Sequence, residues 1–158
     1  MASGELQKKI GIIEDIEAIK RLQYRYIECL SFTKWDELLE CFSENSEVDL
    51  GEGTEKSTII KGKEEISKLF KEGVSRSHLG REGIFVVHPV IDVEGDRATG
   101  KWLSYFMNIR SRGREPLLLW MQGIYECKYV KENNKWKFSL LKWRARLKYQ
   151  QSQMQFIE

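Results

Sequence analysis

The segment from Leu117 to Leu147 restricts the fold more than any other, because it spells two β-strands joined by a tight polar turn. Gly123-Ile124-Tyr125-Glu126-Cys127-Lys128-Tyr129-Val130 leads into Asn133-Asn134, and Lys135-Trp136-Lys137-Phe138 leads out again. Successive side chains of a strand point to opposite faces of its sheet, so each strand can be read as two surfaces. On the last strand Leu141, Trp143, Ala145 and Leu147 share one face, while Lys142, Arg144, Arg146 and Lys148 share the other. The first face is expected against helices and the second, a cationic one, in solvent.

The neighbouring strands are apolar on both sides. Met121, Gly123, Tyr125 and Cys127 alternate with Leu118, Trp120, Gln122 and Ile124. One strand earlier, Trp102, Ser104 and Phe106 alternate with Leu103, Tyr105 and Met107. A sheet that is apolar on both faces needs cover on the second, and no helix is left over to supply it. The expected partner is therefore a second copy of the chain, a homodimer burying Leu103, Tyr105, Met107, Leu118 and Trp120.

The first half of the chain reads as helical. Ile12, Ile16, Ile19, Tyr26 and Leu30 recur at helical spacing through residues 8–31, an amphipathic helix of about six turns. Trp35 to Phe42 supplies a short second helix, and Gly62 to Gly73 a third with Ile66, Leu69 and Phe70 inward. Short strands are expected at Glu47–Gly51 and Ser57–Ile60 across a turn containing Gly51 and Gly53. Ile84 to Val93 forms a longer strand in which Pro89 marks an edge or a bulge. Glu94-Gly95-Asp96 makes a hairpin turn into a strand from Ala98 to Ile109, followed by a basic loop from Arg110 to Glu115. Helices first and antiparallel strands after is an α+β order.

Length and composition add bounds. The 158 residues, 32% charged and 41% hydrophobic, suit one soluble globular domain spanning 1–158, with a core over about 8–147 and a tail from 148. A net charge of +2 gives no strong attraction to nucleic acid or to a membrane surface. The longest apolar run, Leu117 to Met121, is too short to span a bilayer, and the charged N-terminus has no signal-peptide core. Cys29, Cys41 and Cys127 are odd in number and form no C-x-x-C pair, so free thiols in a cytoplasmic setting are expected. No metal-ligand spacing and no nucleotide-binding glycine motif occurs, so neither metal nor cofactor is expected.

Several ordered blocks together resemble one known family. These are Asp15-Ile16-Glu17-Ala18-Ile19-Lys20, Tyr24-Arg25-Tyr26, Lys34-Trp35-Asp36-Glu37-Leu38, and the run from Pro89 to Trp102 with Asp92-Val93-Glu94-Gly95-Asp96-Arg97-Ala98-Thr99 at its centre. Tyr129-Val130 and Trp136-Lys137-Phe138 complete the set. The chain resembles the SnoaL-like family of the nuclear transport factor 2-like superfold over roughly residues 12 to 147. The resemblance implies a cone-shaped, curved antiparallel sheet wrapped around the N-terminal helices, with an apolar pocket at its open end for one small hydrophobic molecule. The family includes dehydratases, isomerases, cyclases, a dehydrochlorinase and binding modules. Its dehydratases use a His–Asp pair for proton abstraction without metal or organic cofactor. Carried over, the cavity Tyr of the first helix falls on Tyr26, and the Asp five residues on falls on Ser31. The base His falls on Ile84, a cavity Arg falls near Ala145, and further cavity positions fall on Gly123, Tyr125 and Leu141. The pocket positions carry over, then, while the dyad does not.

Other residues are candidates for the missing chemistry. His88 shares parity with Ile84 and Val86 unless Pro89 makes a bulge that shifts it, and otherwise is a satisfied or surface histidine. His78 precedes Gly80-Arg81-Glu82-Gly83, a candidate lip over the pocket. Tyr26 lies on the apolar stripe of its helix and needs a partner for its hydroxyl, within the pocket or in the core. Asp49 is solvated if Val48 and Leu50 face the helices, and a buried candidate base if they do not. Trp102, Phe106, Tyr125 and Trp143 form an aromatic wall, of pocket or of core. Two functions are in view: cofactor-independent dehydration or isomerisation of a cyclic hydroxylated or carbonyl compound, and a non-catalytic ligand-binding or dimerisation module.

Overall fold

The first helix, α1 (Ala2–Ser31), is the axis of the molecule. Ile19, Gln23, Tyr26, Ile27 and Leu30 are buried along one face of it, at the three- and four-residue spacing that puts side chains on one stripe. The helix starts six residues earlier than the apolar pattern suggests. Its opening turns stand clear of the core, and Leu6, Ile10, Ile12 and Ile13 are exposed. A computed structural model describes residues 2–51, 58–78, 82–112 and 115–151. The expected turn residue Gly53, the strand start Ser57 and the lip residues Gly80 and Arg81 lie outside the described residues.

After α1 come α2 (Trp35–Leu39), β1 (Phe42–Asp49), β2 (Ile60–Lys61) and α3 (Lys63–Lys68). The third helix is shorter than its apolar pattern. It loosens into a π turn over Leu69–Gly73 and then tightens into a 3-10 turn over Val74–Ser77. Ile66 and Phe70 are nonetheless fully buried, as expected. Four long strands follow: β3 (Gly83–Glu94), β4 (Arg97–Arg112), β5 (Glu115–Glu132) and β6 (Lys135–Gln151). The basic stretch expected as a loop is mostly strand, since β4 runs to Arg112 and β5 begins at Glu115. Residues 148–151, expected as tail, belong to β6.

The six strands lie in one open sheet in the order β2-β1-β6-β5-β4-β3. All neighbours are antiparallel except β1 and β6, which run parallel, a departure from the wholly antiparallel sheet expected. The tight turns come where the sequence puts them. Gly95 with Asp96, and Asn133 with Asn134, close two-residue hairpins, and both asparagines have positive φ, the conformation that matches the right-handed twist of the flanking strands. α1 touches both β3 and β6 although β4 and β5 lie between them, so the sheet curves around the helix.

Register slips set which side chains face inward, and two of the four in the described sheet bear on the site. Between Val87 and Val90 the β3–β4 register slips, and His88 at the slip has a φ of 52°. Ile84 and Val86 pack toward the core before it, and Ile91 and Val93 after it, so the inward parity changes from even to odd. In β6, Arg146 is an extra residue between Ala145, paired with Gly123, and Leu147, paired with Gln122. Beyond it Lys148 pairs with inward Met121, while Leu147 and Tyr149 pair with outward Gln122 and Trp120. The simple alternation expected for β6 therefore ends at Ala145, because one inserted residue reverses the faces.

Asp15 fastens α1 to the β5–β6 hairpin. Its carboxylate accepts hydrogen bonds from Lys131 Nζ at 2.7 Å and Trp136 Nε1 at 2.8 Å, one on each strand of the β5–β6 hairpin. Partial burial alone would raise this carboxyl, but the two hydrogen bonds and the charge of Lys131 outweigh it and hold it below the ordinary 3.8. A carboxyl depressed by folding contributes fully above its unfolded pKa, and the contribution is lost as pH falls through the folded value. Asp15→Asn is expected to lower the unfolding free energy by about 1–2 kcal/mol at neutral pH. Urea titrations at several pH values will show that difference shrinking below about pH 4, whereas a pH-independent difference would sink the account.

Candidate functional site

The inner face of the sheet reads as successive rungs across β4, β5 and β6. Trp102, Tyr125 and Trp143 are direct cross-strand partners, and the next rung is Ser104, Gly123 and Ala145. One rung further lie Phe106, Met121 and Lys148, with Ile84 of β3 paired to Phe106. Burial changes along this ladder. Trp102, Phe138 and Leu141 are completely enclosed, whereas Ile84, Val86, Phe106 and Trp143 are only half-buried. A concave face sealed at one end and half open at the other is a recess, and its lining is aromatic and aliphatic.

His78 stands at the open end. It follows the 3-10 turn, and its ring meets Phe106 at 5.7 Å and the edge of Trp35 at 6.2 Å. Its Nδ1 lies 3.1 Å from the carbonyl oxygen of Val74. A carbonyl can only accept, so Nδ1 carries the proton in this bond, and Nε2 is buried. The sequence pointed to His78 only through the glycines that follow it. The turn that aims it, a π turn passing into a 3-10 turn, has no signature in the apolar pattern.

Trp143 reaches across a glycine. Its indole lies over Gly123 and donates from Nε1 to Ser104 Oγ at 3.0 Å, spanning from β6 to β4. A Cβ at Gly123 would stand 2.6 Å from that Nε1 and 2.8 Å from the Arg144 carbonyl. Gly123 is thus the clearance that lets the tryptophan lie flat, a role the parity argument missed.

Deeper in, Tyr26 is enclosed by Phe42, Phe70, Tyr125 and Phe138, with ring centroids 5.5–6.3 Å away. Its hydroxyl interacts with that of Tyr125, and burial pushes both phenols well above their ordinary value, so both stay protonated. Of the two positions offered for Tyr26, the structure takes the core. Trp102 donates to the Tyr129 hydroxyl at 3.0 Å, and that hydroxyl donates to Gln23 Oε1 at 3.2 Å. The buried polar line Trp102–Tyr129–Gln23 was not foreseen, since a glutamine on an apolar helix stripe gives no sign of its partner.

A family model of SnoaL-like domains matches residues 12–142. The chain belongs to the SnoaL-like family. Its fold is shared with solved structures of low identity. The LinA-type3 hexachlorocyclohexane dehydrochlorinase of Novosphingobium barchaimii LL02 superposes with a TM-score of 0.79, at 18% identity over 95% of this chain and 99% of that one. A Type2 hexachlorocyclohexane dehydrochlorinase (LinA) gives 0.81, at 16% identity over 95% and 97%. A scytalone-dehydratase-like protein of Novosphingobium aromaticivorans DSM 12444 gives 0.72, at 20% identity over 87% of each chain.

Within this SnoaL-like frame the expected residues divide. Ser31 is half-buried at the C-terminal end of α1. Ile84, Phe106 and Trp143 line the open part of the recess, Tyr125 lies between, and Trp102 and Leu141 form its closed floor. His88 does not share the side of Ile84 and Val86, because the bulge at Pro89 takes it out of the alternation and leaves it exposed. Asp49 matches neither alternative. Val48 does face the core, yet Asp49 on the opposite face is only 2% exposed, receiving the Gly51 N–H at 3.0 Å and lying 3.6 Å from Lys142 Nζ. Among the described residues no cluster of His, Cys, Asp and Glu side chains is arranged to hold a metal ion. Two further concavities, of about 450 and 640 Å³, lie on the other side of the sheet and share Asp92, Thr99 and Lys128; they contain none of the predicted catalytic residues.

Gly123→Ala is expected to displace the Trp143 indole and cost about 1–3 kcal/mol of stability. The indole N–H resonance of Trp143 will move with it. Ser104→Ala, which removes the acceptor without adding bulk, is expected to move the same resonance at a smaller cost. An unshifted resonance in Gly123→Ala would show that the close approach is not real.

Proposed function

We propose that the recess binds a small hydrophobic compound carrying a hydroxyl or carbonyl group, cyclic to suit its flat aromatic lining, and that His78 moves a proton on it without a cofactor, in a dehydration or an isomerisation. The observation that carries the reading is the 3.1 Å hydrogen bond between His78 Nδ1 and the Val74 carbonyl. A ring whose Nδ1–H is held by the Val74 carbonyl presents a basic Nε2, and its neighbours at the open end are Trp35 and Phe106. A backbone carbonyl then does the orienting that a carboxylate does elsewhere, consistent with serine at position 31.

The chemistry follows from these groups. Nε2 takes a proton from a carbon of the bound molecule, and the freed electron pair forms a double bond. In a dehydration the neighbouring hydroxyl leaves as water, with the proton returned by the imidazolium. In an isomerisation the proton returns to a second carbon. Tyr125, a protonated phenol whose ring is next to Trp143 in its rung, is the donor proposed to steady negative charge on the substrate oxygen. Tyr26 acts through Tyr125, as a positioning residue. The relatives named as dehydrochlorinase and scytalone-dehydratase-like share this fold, which supports elimination chemistry as the class to test first. The free, buried Cys29, Cys41 and Cys127, with Cys41 and Cys127 pushed up to about 12 by burial, suit a reducing compartment, and the proposal extends to a cytoplasmic location.

The test is incubation with a panel of cyclic alcohols and ketones in D2O, read by mass spectrometry for loss of water or uptake of deuterium. His78→Gln is expected to lower turnover by about 10²–10⁴-fold with binding and thermal stability kept, and Tyr125→Phe by about 10²–10³-fold. His88→Ala is expected to leave the rate unchanged. Compounds that bind the wild-type protein tightly and show neither water loss nor exchange would instead favour a binding module, the second reading, which the serine at position 31 also supports.

A further inference from the structure

We infer that Glu82 is a binding residue at the mouth of the recess, accepting a hydrogen bond from a hydroxyl group of the bound molecule and so selecting an alcohol over a ketone. The inference rests on the reading of the recess as a binding site and narrows the compounds it takes. Glu82 stands one residue before β3 and two before Ile84. Ile84 and Val86 pack toward the core, while Phe85 between them is 51% exposed. Glu82 has the parity of the inward pair and is only 8% exposed, so its carboxylate is drawn in rather than left in solvent.

The neighbours fix where along the recess it lies. Ile84 is the cross-strand partner of Phe106, and the Phe106 ring is 5.7 Å from that of His78. Glu82, one rung beyond Ile84, and His78 are therefore both placed at the outer end of the lining, while Trp102 and Leu141 form an apolar floor suited to a ring. Taking a carboxylate out of water costs several kcal/mol unless it is paired and hydrogen-bonded. Among the described residues the buried carboxyl groups are Asp49 and Glu82. Asp49, on the outer face, receives the Gly51 N–H and lies near Lys142. Glu82 also interacts with the chain around it, but the two oxygens of a carboxylate offer about four acceptor sites, so a ligand can be held beside that partner.

The polarity of the hydrogen bond names the ligand class. A carboxylate accepts and does not donate. A hydroxyl can satisfy it, a carbonyl oxygen cannot, and a carboxylate on the ligand is repelled. An ammonium group would also donate. Lys148, however, shares the rung of Phe106 and Met121 on the inner face and puts a positive charge at the same mouth, which disfavours a cation. The neutral hydroxyl is the donor that remains. A hydrogen bond to a charged acceptor in an enclosed site is stronger than one in water, and a site built around it rejects the analogue that lacks the donor. Within the proposed chemistry, this favours a dehydration over an isomerisation of a ketone.

Isothermal titration calorimetry of the full chain with α-tetralol and α-tetralone tests the inference. The two probes share a bicyclic skeleton and differ only in a hydroxyl against a carbonyl. The wild-type protein is expected to bind the alcohol about 10–100-fold more tightly. Glu82→Met is expected to abolish that preference by weakening the alcohol alone, and Glu82→Gln, which keeps one acceptor oxygen, to reduce it. His78→Gln is expected to leave the preference in place, which separates the carboxylate from the imidazole. Equal affinities in the wild type, a comparison that needs no variant to fold, would overturn the inference and leave the recess as a binding site. So would a preference that survives Glu82→Met or disappears only in His78→Gln. Binding of neither probe at millimolar concentration would overturn it together with the reading of the recess on which it rests.

Discussion

Tyr26 presents its ring to four other aromatic rings, and through them α1 is held to β1, to the π turn, to β5 and to β6. Each such contact contributes about 0.5–1.5 kcal/mol beyond the burial of the rings, so the cluster is worth a sizeable part of what keeps any domain folded. Its position also explains the curvature. A helix gripped from several strands at once forces the sheet to bend around it, and the register slips supply the bend. The recess is what remains where the aromatic filling stops, beyond the rung of Trp102, Tyr125 and Trp143.

The parts of this architecture that were legible in the sequence were those governed by local rules. Ile19, Tyr26 and Leu30 recur at helical spacing and are buried. Gly95-Asp96 and Asn133-Asn134 turn where such residues turn. What escaped was whatever depends on one residue more or less. Alternation predicts a face only while the register holds, and a single extra residue at Arg146 exchanges Leu147 and Lys148. The parallel pairing of β1 with β6 escaped for another reason, since partners far apart in sequence leave no trace in either strand's own pattern.

The candidate site divides in the same way. Ile84, a position carried over from the family, and Phe106 and Trp143, read from the aromatic alternation of their strands, share the inner face because they lie in stretches of intact register. The group proposed for proton transfer was harder to rank, because it does not sit on a strand. His78 follows a π turn and a 3-10 turn, whose Phe70 is buried in the core and whose Val74 packs against it. His88 had the more promising sequence context and lost its place to the proline beside it, which breaks the ladder at that position.

The extra residue at position 146 has a consequence for how such a chain can change. Past that point the last strand alternates between two duties, giving Lys148 to the rim of the recess and Leu147 and Tyr149 to the convex surface. Loss of one residue there would swap all three together, altering the charge at the mouth and the greasiness of the outside in a single event. Entry to the recess and the character of the outer wall are therefore inherited as one trait, and variation in strand length here is confined to changes that preserve both or forfeit both.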